Sequence, residues 1–448
     1  MSADQEPESP ARHAHVSAEE YAVARAYQGV TTAAERRRAF GILFVSLLCM
    51  GAGQSVINPI LQAIGPSLGL GPTQVTSIFA CSALIWIFSS TFWGLRSDVW
   101  GRKPVMLLGL VAFAISFAAF ASILSLGLAH ALGMSMIFPL LIASRCIYGA
   151  FGSGTSAAAQ AYVADRTTPR ERLSGVAVIS MAFALGTTAG PVVGAMLTYV
   201  SITAPFYFVS AAALLSAAAI WFLLPERTPP KMQVRNRSTL KWYEPRMFPF
   251  VCFGVVLSLI GSIPQQILGF FLRDILHDLP NAVARLSSIG FVISALAALF
   301  AQFVIVRRFR KSSRLLVVAG ILIAALSNLL FVFAHDYAMV AAALACSGLG
   351  LGLARPGFTA GASLSVAPHE QGAVAGLLGT AGAAGFIFGP VIGRLYEMSP
   401  TLPYICGACV MLVLLAAQFT SKVLYRAGDI PPDAGVVDEH TETPVSEA

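Results

Sequence analysis

Two arginines stand deep inside apolar stretches of this chain, Arg145 and Arg355. A guanidinium carries a fixed charge and a planar fork of five N–H donors, which suits carboxylates, catecholates and phosphates. Placing one at the centre of a bilayer costs about 2.5–3.5 kcal/mol on insertion scales, so each should face a wet cavity or a partner. Arg355 lies about eight residues from its helix end, roughly 12 Å deep at about 1.5 Å per residue. The apolar stretches themselves hold no Asp or Glu. Asp98, Asp165 and Glu171 fall in loops on one side, Asp274, Asp278 and Asp336 on the other, and Glu397 at a helix end. The two arginines therefore predict a positive central cavity and an anionic or polyfunctional substrate, such as a carboxylate-rich metallophore, an organic anion or an acidic antibiotic. Neutralisation of each arginine by helix carbonyls, in a packing or gating role, is the alternative and stays open.

Other polar side chains could line the same space. Gln54 and Asn58 are four apart and share one helix face. Gln265 and Gln266 directly follow Pro264, while Pro59 directly follows Asn58. Proline-interrupted segments at matching places in two halves of a chain point to a binding site. A lone glutamine serves equally well as an interhelical hydrogen bond, worth about 0.6 kcal/mol. Both uses remain open for these four residues.

The elements that must carry these side chains are membrane helices. The chain has 448 residues, of which 56% are hydrophobic and only 11% charged, against roughly 25% charged in soluble domains. A helix of about 20 apolar residues spans a bilayer. Twelve such spans are predicted near 39–63, 74–95, 104–128, 134–163, 173–199, 203–224, 247–272, 285–306, 315–334, 337–363, 373–396 and 403–424. Residues 1–38 form a polar tail without a signal-type apolar core, 225–246 a polar linker, and 426–448 an acidic tail. The expected organisation is thus a first six-helix bundle at 39–224 and a second at 247–425.

Lys and Arg concentrate on the cytoplasmic side of membrane proteins. Arg36 to Arg38, Arg96, Arg102 and Lys103, Arg166, Arg170 and Arg172, the linker, and Arg307 to Arg314 all fall on one side. Both termini are therefore expected in the cytoplasm, with the chain in the cell (inner) membrane. The net charge of +7 follows from these basic loops and requires no nucleic acid.

A glycine–proline phrase occurs twice. Gly186, Gly190, Pro191 and Gly194 recur as Gly385, Gly389, Pro390 and Gly393 at a constant offset of 199 residues, as do Pro169 and Glu171 as Pro368 and Glu370. Such a repeat indicates an internal duplication. Small residues at this spacing allow close helix contact, and a proline bends the span. The arginines break the repeat: Leu344 stands at the place of Arg145, and Ser156 at the place of Arg355.

The second-to-third loop runs from Gly94 through Asp98 and Gly101 to Arg102 and Lys103. It resembles the loop signature of the major facilitator superfamily, with Val99 where a basic residue is frequent. Gly94 would allow close helix approach, Asp98 can face a helix N-terminus, and Gly101 permits a tight turn. The resemblance assigns the set to a conformational latch on the cytoplasmic face, with Asp165 the partner of Arg102. Arg145, Gly149 and Asp165 look like a second pattern of that superfamily. The phrase at Gly186 resembles the signature of its twelve-helix drug:proton antiporters, with Ala195 for the final glycine.

The resemblance covers nearly the whole hydrophobic chain. It implies an all-α membrane protein with twelve transmembrane helices in two pseudo-symmetric six-helix bundles, the major facilitator fold. It implies a monomeric secondary transporter that exports a small molecule by alternating access, driven by a proton gradient. Many members that export cationic drugs carry an intramembrane carboxylate in the first half, where this chain has Gln54 and Asn58. The proton carrier is therefore not identified. Uptake or exchange of a metabolite anion is the alternative within transport; a membrane sensor with a transporter-like fold is the alternative outside it.

No enzyme, cofactor or metal site is expected. The seven cysteines all fall in apolar runs, and Cys406 and Cys409 share a CxxC spacing without the helix-opening context that redox chemistry needs. The glycine-rich runs at Gly149 and Gly348 follow no strand and carry no phosphate-binding lysine, so helix packing accounts for them.

Overall fold

The computed structural model describes residues 33–167, 169–225, 243–277, 280–306, 313–366 and 371–421. The tails, the centre of the linker, Arg307 to Lys311, Asp278, Pro368, His369 and Glu370 lie outside the described residues. The described residues are helical with short turns. In a bilayer every backbone group must be bonded within the protein, and the helix does this inside one segment.

The first half contains α1 (Ala33–Ile64), α2 (Pro72–Trp100), α3 (Arg102–Leu128), α4 (Met134–Ile147), α5 (Ser153–Asp165), α6 (Pro169–Leu197) and α7 (Ala204–Leu223). The second contains α8 (Phe248–Leu276), α9 (Pro280–Phe300), α10 (Ser313–Val332), α11 (Tyr337–Leu364), α12 (Gln371–Ile387), α13 (Gly389–Met398) and α14 (Leu402–Thr420). Among the described residues, eleven helical segments are long and apolar enough to cross a membrane. α12 and α13 make up the remaining predicted span, neither being long enough alone.

Four predicted elements differ in detail, one being the eighth span, which ends in a π-helical turn, Ala301–Ile305. The first helix starts at Ala33, so Arg36 to Arg38 lie on it rather than in the tail. The fourth span is continuous in space but changes winding: a π-helical turn, Tyr148–Gly152, joins α4 to α5. The eleventh span, expected at 373–396, is broken at Phe388.

That break has a local cause and a neighbour that accommodates it. Pro390 has no N–H to donate into a continuing helix, and it sits in the first turn of α13, where none is needed. The carbonyls left free at the end of α12 still need donors. Ser262 on α8 donates to Gly385 O at 3.1 Å, and Ser258, one turn earlier, donates to Gly382 O. Pro191, the counterpart in the first half, stays inside the continuous α6.

The chain forms two compact units. One comprises residues 1–70 and 81–235, the other 71–80 and 236–448. The first decade of α2 thus groups with the second unit, which the hydropathy pattern does not anticipate.

Within the first unit α6 packs closely on α1. A Cβ on Gly186 would stand 2.9 Å from Ala52 N, and one on Gly51 3.0 Å from Thr187 N. Gly190 lies against the Ala52 carbonyl and the Ser55 hydroxyl, and Gly194 is buried. Within the second unit Gly385 lies against Ser258, while Gly389 and Gly393 lie against Gln266, Thr73 and Thr76. Both copies of the phrase therefore act as contact surfaces.

Candidate transport site

The fourth span presents Arg145 to the interior of the first unit. Its side chain is 1% exposed and heads the fully buried side chains by size. One nitrogen, Nη2, donates to Gln54 Oε1 on α1 at 3.0 Å. The guanidinium carbon lies 4.5 Å from the centre of the Tyr148 ring and 5.7 Å from that of Phe117. Ring faces attract a cation electrostatically, by about 2 kcal/mol when water is excluded. They supply no hydrogen-bond acceptor in the guanidinium plane. Nε and Nη1 of Arg145 are buried with no partner among the described residues. Among the described residues the arginine is thus a buried charge with two nitrogens unsatisfied and no carboxylate in contact.

The backbone around this group is close-packed. Ser82 Oγ on α2 donates to Arg145 O at 3.2 Å. A Cβ on Gly149 would stand 2.7 Å from Ser82 O, so glycine lets α2 approach the π-helical turn. Ser89 Oγ donates to Gly149 O at 2.6 Å and Trp93 Nε1 to Ala150 O at 2.6 Å. These bonds hold carbonyls of the irregular turn, where the α-helical ladder is interrupted. Asn58 is buried one turn below Gln54, and its Oδ1 has no partner among the described residues.

Arg355 is placed differently. Its side chain is exposed on α11, and Nη2 lies 3.4 Å from the Cβ position of Gly261 on α8. No ion pair or side-chain hydrogen bond holds it among the described residues. A void beside the Pro264 kink, lined by Gly261, Pro264, Asn328 and Leu351, lies next to it. The two neighbouring glutamines of α8 separate: Gln266 is buried with Nε2 donating to Ser262 Oγ at 2.9 Å, while Gln265 is half-buried. Gln266 Oε1 faces Gly389 at the broken span. Gln266 thus packs against α13, with Oε1 buried and without a hydrogen-bond partner among the described residues.

The loop cluster forms within the first unit. Arg102 pairs with Asp98 at 2.5 Å and with Asp165 at 3.0 Å, and its Nη1 donates to Ser97 Oγ at 2.6 Å. Lys103 Nζ donates to Leu224 O at 3.0 Å. Gly101 has φ 94°, a conformation that favours glycine, and it opens α3. One expectation fails here: space is open where a Cβ on Gly94 would stand, so no close helix approach occurs at that glycine. Asp98 pairs with Arg102, the first residue of α3.

Sequence reasoning missed the aromatic lining of Arg145. Tyr148 lies three residues on, the spacing that puts two helix side chains together, so that contact was available from the spacing. Phe117, on another helix, left no such signal.

Comparison with known proteins agrees with this architecture. Residues 43–390 match the sequence pattern of the Major Facilitator Superfamily. Multidrug resistance protein 2 of Bacillus subtilis (strain 168) is 25% identical over 401 residues, covering 87% of this chain and 96% of that protein. The class C tetracycline resistance protein of Escherichia coli is 28% identical over 359 residues, covering 76% and 85%. Among solved structures, a bacterial homologue of the human lysosomal transporter Spinster superposes with a TM-score of 0.66 at 14% identity, covering 89% of this chain and 94% of that one. With eleven described helical segments long and apolar enough to cross a membrane and a family match across most of the chain, this multi-pass membrane protein belongs to the Major Facilitator Superfamily.

Proposed function

We propose that this transporter exports small organic molecules in exchange for protons, and that it favours substrates bearing a carboxylate or a similar anionic group. The observation that carries this reading is Arg145, a buried cation with two N–H nitrogens unpartnered. A substrate carboxylate would supply the missing acceptors and offset the cost of the buried charge. Arg355, beside Gly261 and without an ion pair among the described residues, is a second cation suited to the same class of substrate. Export rather than uptake is supported by relatives named for multidrug and tetracycline resistance. In this reading both termini face the cytoplasm, the chain works as a monomer, and Asp98, Arg102 and Asp165 act as the cytoplasmic latch.

The test uses sealed inverted vesicles with an acid interior and a carboxylate-bearing quinolone. An exporter accumulates the quinolone on the gradient. Arg355→Ala should raise KM, with partial recovery in Arg355→Lys. Unchanged affinity in both variants, or better transport of a permanently cationic dye than of the quinolone, overturns the anionic preference. Accumulation only in right-side-out vesicles would identify uptake or exchange of an anion instead.

A further inference from the structure

Four helices of the second unit meet at the kink in α8 and enclose the void beside it. Ile260, Gly261 and Pro264 of α8 form one wall, Ser327 and Asn328 of α10 a second, Ser347 of α11 a third, and Met411 of α14 closes it. The three polar side chains and Met411 are buried. The centre of a water-sized sphere can move through about 10 Å³ of this space, which is room for about one water.

The lining has an acceptor in need of a donor. Pro264 lies inside α8 and has no N–H, so the Ile260 carbonyl, one turn back, loses the bond that a regular helix would give it. Within a membrane a freed carbonyl needs a replacement donor. The nearby hydroxyls are committed elsewhere: Ser262 Oγ donates to Leu259 O at 2.7 Å, and Ser327 Oγ to Ala343 O at 2.7 Å. Asn328 donates one amide hydrogen to Ala324 O at 2.8 Å, which leaves it a second hydrogen and Oδ1. Gly407 on α14 makes room for this amide, since a Cβ there would stand 2.6 Å from Asn328 Oδ1.

The chemistry of the wall selects among occupants of this size. A cation would sit beside another cation: Arg355 Nη2 stands 3.4 Å from the Cβ position of Gly261, and no carboxylate lines the void. A halide has no hydrogen to give the Ile260 carbonyl. Voids that stay empty are apolar, whereas this one exposes a serine and an asparagine whose burial without a partner is costly. A water both donates and accepts. We propose that the void holds one ordered water, which donates to the Ile260 carbonyl and bonds the Asn328 amide and the Ser347 hydroxyl, so that solvent completes the kinked turn of α8. This water site is independent of substrate, coupling ion and direction.

Radiolytic labelling of the full chain in nanodiscs tests the site. X-rays split a bound water where it sits, and the hydroxyl radical oxidises the nearest reactive side chain. Met411 lines the void although it is fully buried; Met106 of α3 and Met247, just before α8, are equally buried and serve as references. Met411 should be oxidised at least about tenfold faster than either reference. A Met411 rate equal to theirs overturns the proposal, and this arm needs no substitution. Pro264→Ala restores an N–H for the Ile260 carbonyl, and Ser347→Val removes a partner and fills the space. Each should lower Met411 oxidation by about threefold or more, with reference rates unchanged as the sign of an intact fold. Undiminished Met411 oxidation in either variant that keeps its fold overturns the assigned partners.

Discussion

At the scale of single residues, Arg145 is stabilised by one hydrogen bond and two aromatic rings. Removing Gln54 would leave a third guanidinium nitrogen without an acceptor in the interior. Gln54→Leu should therefore destabilise the protein by about 1–3 kcal/mol, visible as a lower melting temperature in detergent. The loss should shrink when a saturating carboxylate ligand is present, because binding to the native state alone adds stability. The position of both arginines within helices long and apolar enough to cross a membrane was legible in the sequence, since hydropathy locates a charge along a span. The Gln54–Arg145 bond was not, because it joins positions 91 apart and depends on how α1 meets α4.

Glu397 gives a pH dependence at the same scale. Partial burial works to raise its pKa, but hydrogen bonding from Thr73 and the Arg394 guanidinium outweigh that and hold the carboxyl below its ordinary value. Glu397 Oε1 accepts from the Thr73 amide at 3.1 Å. A depressed acid pKa means that this bond is fully formed above the ordinary glutamate range and is lost as pH falls through the lowered value. Protection of the Thr73 amide against hydrogen exchange, corrected for the intrinsic exchange rate, should stay flat from about pH 8 to about pH 5.5. It should fall only below the usual glutamate pKa of about 4.3. A loss of protection near pH 6.5 would contradict the pairing of Thr73 with Glu397.

At the scale of elements, one glycine phrase has produced two different structures. In the first half it is a smooth contact surface on an unbroken α6; in the second it coincides with the break between α12 and α13. The phrase itself was fully legible, and it located both contact surfaces. The difference lies on the facing helix, where Ser258 and Ser262 of α8 donate to carbonyls of α12 and Ser55 of α1 instead bonds within its own helix. A motif read along one strand of sequence carries no record of the donors opposite it.

The glycines are separable by substitution. Gly186→Ala places a Cβ against backbone atoms of α1 that cannot move alone, and overpacking of this kind costs about 1–3 kcal/mol. Gly382→Ala meets open space and should gain up to about 1 kcal/mol from helix propensity. Thermal unfolding followed by fluorescence-detected size exclusion should order the three proteins as Gly382→Ala, wild type, Gly186→Ala.

At the scale of the molecule, the twelve-span frame was the most legible feature, because a bilayer admits few solutions and long apolar runs report them directly. The grouping of residues 71–80 with the second unit was not legible. Hydropathy marks where a helix crosses, whereas grouping reflects close packing such as that of Gly393 on the Thr73 backbone. Arg102 ties Asp98 on α2 and Asp165 on α5 to the start of α3, and the latch proposed above predicts an effect on the rate of interconversion. Arg102→Ala should lower the turnover number with little change in KM, since it touches neither Arg145 nor Arg355. A rise in KM with turnover intact would assign Arg102 to substrate binding instead.

The π-helical turn at Tyr148–Gly152 makes the fourth span one residue longer than a regular helix covering the same rise. Deleting a residue from an α-helix turns everything beyond the deletion by about 100° and would swing α5 away from α3. Within the π-helical turn the same deletion restores regular winding and leaves both flanks facing as before. The fourth span should therefore tolerate a shortened reading of its gene at one five-residue window and nowhere else along its length. Natural length variation among close relatives should collect at that window.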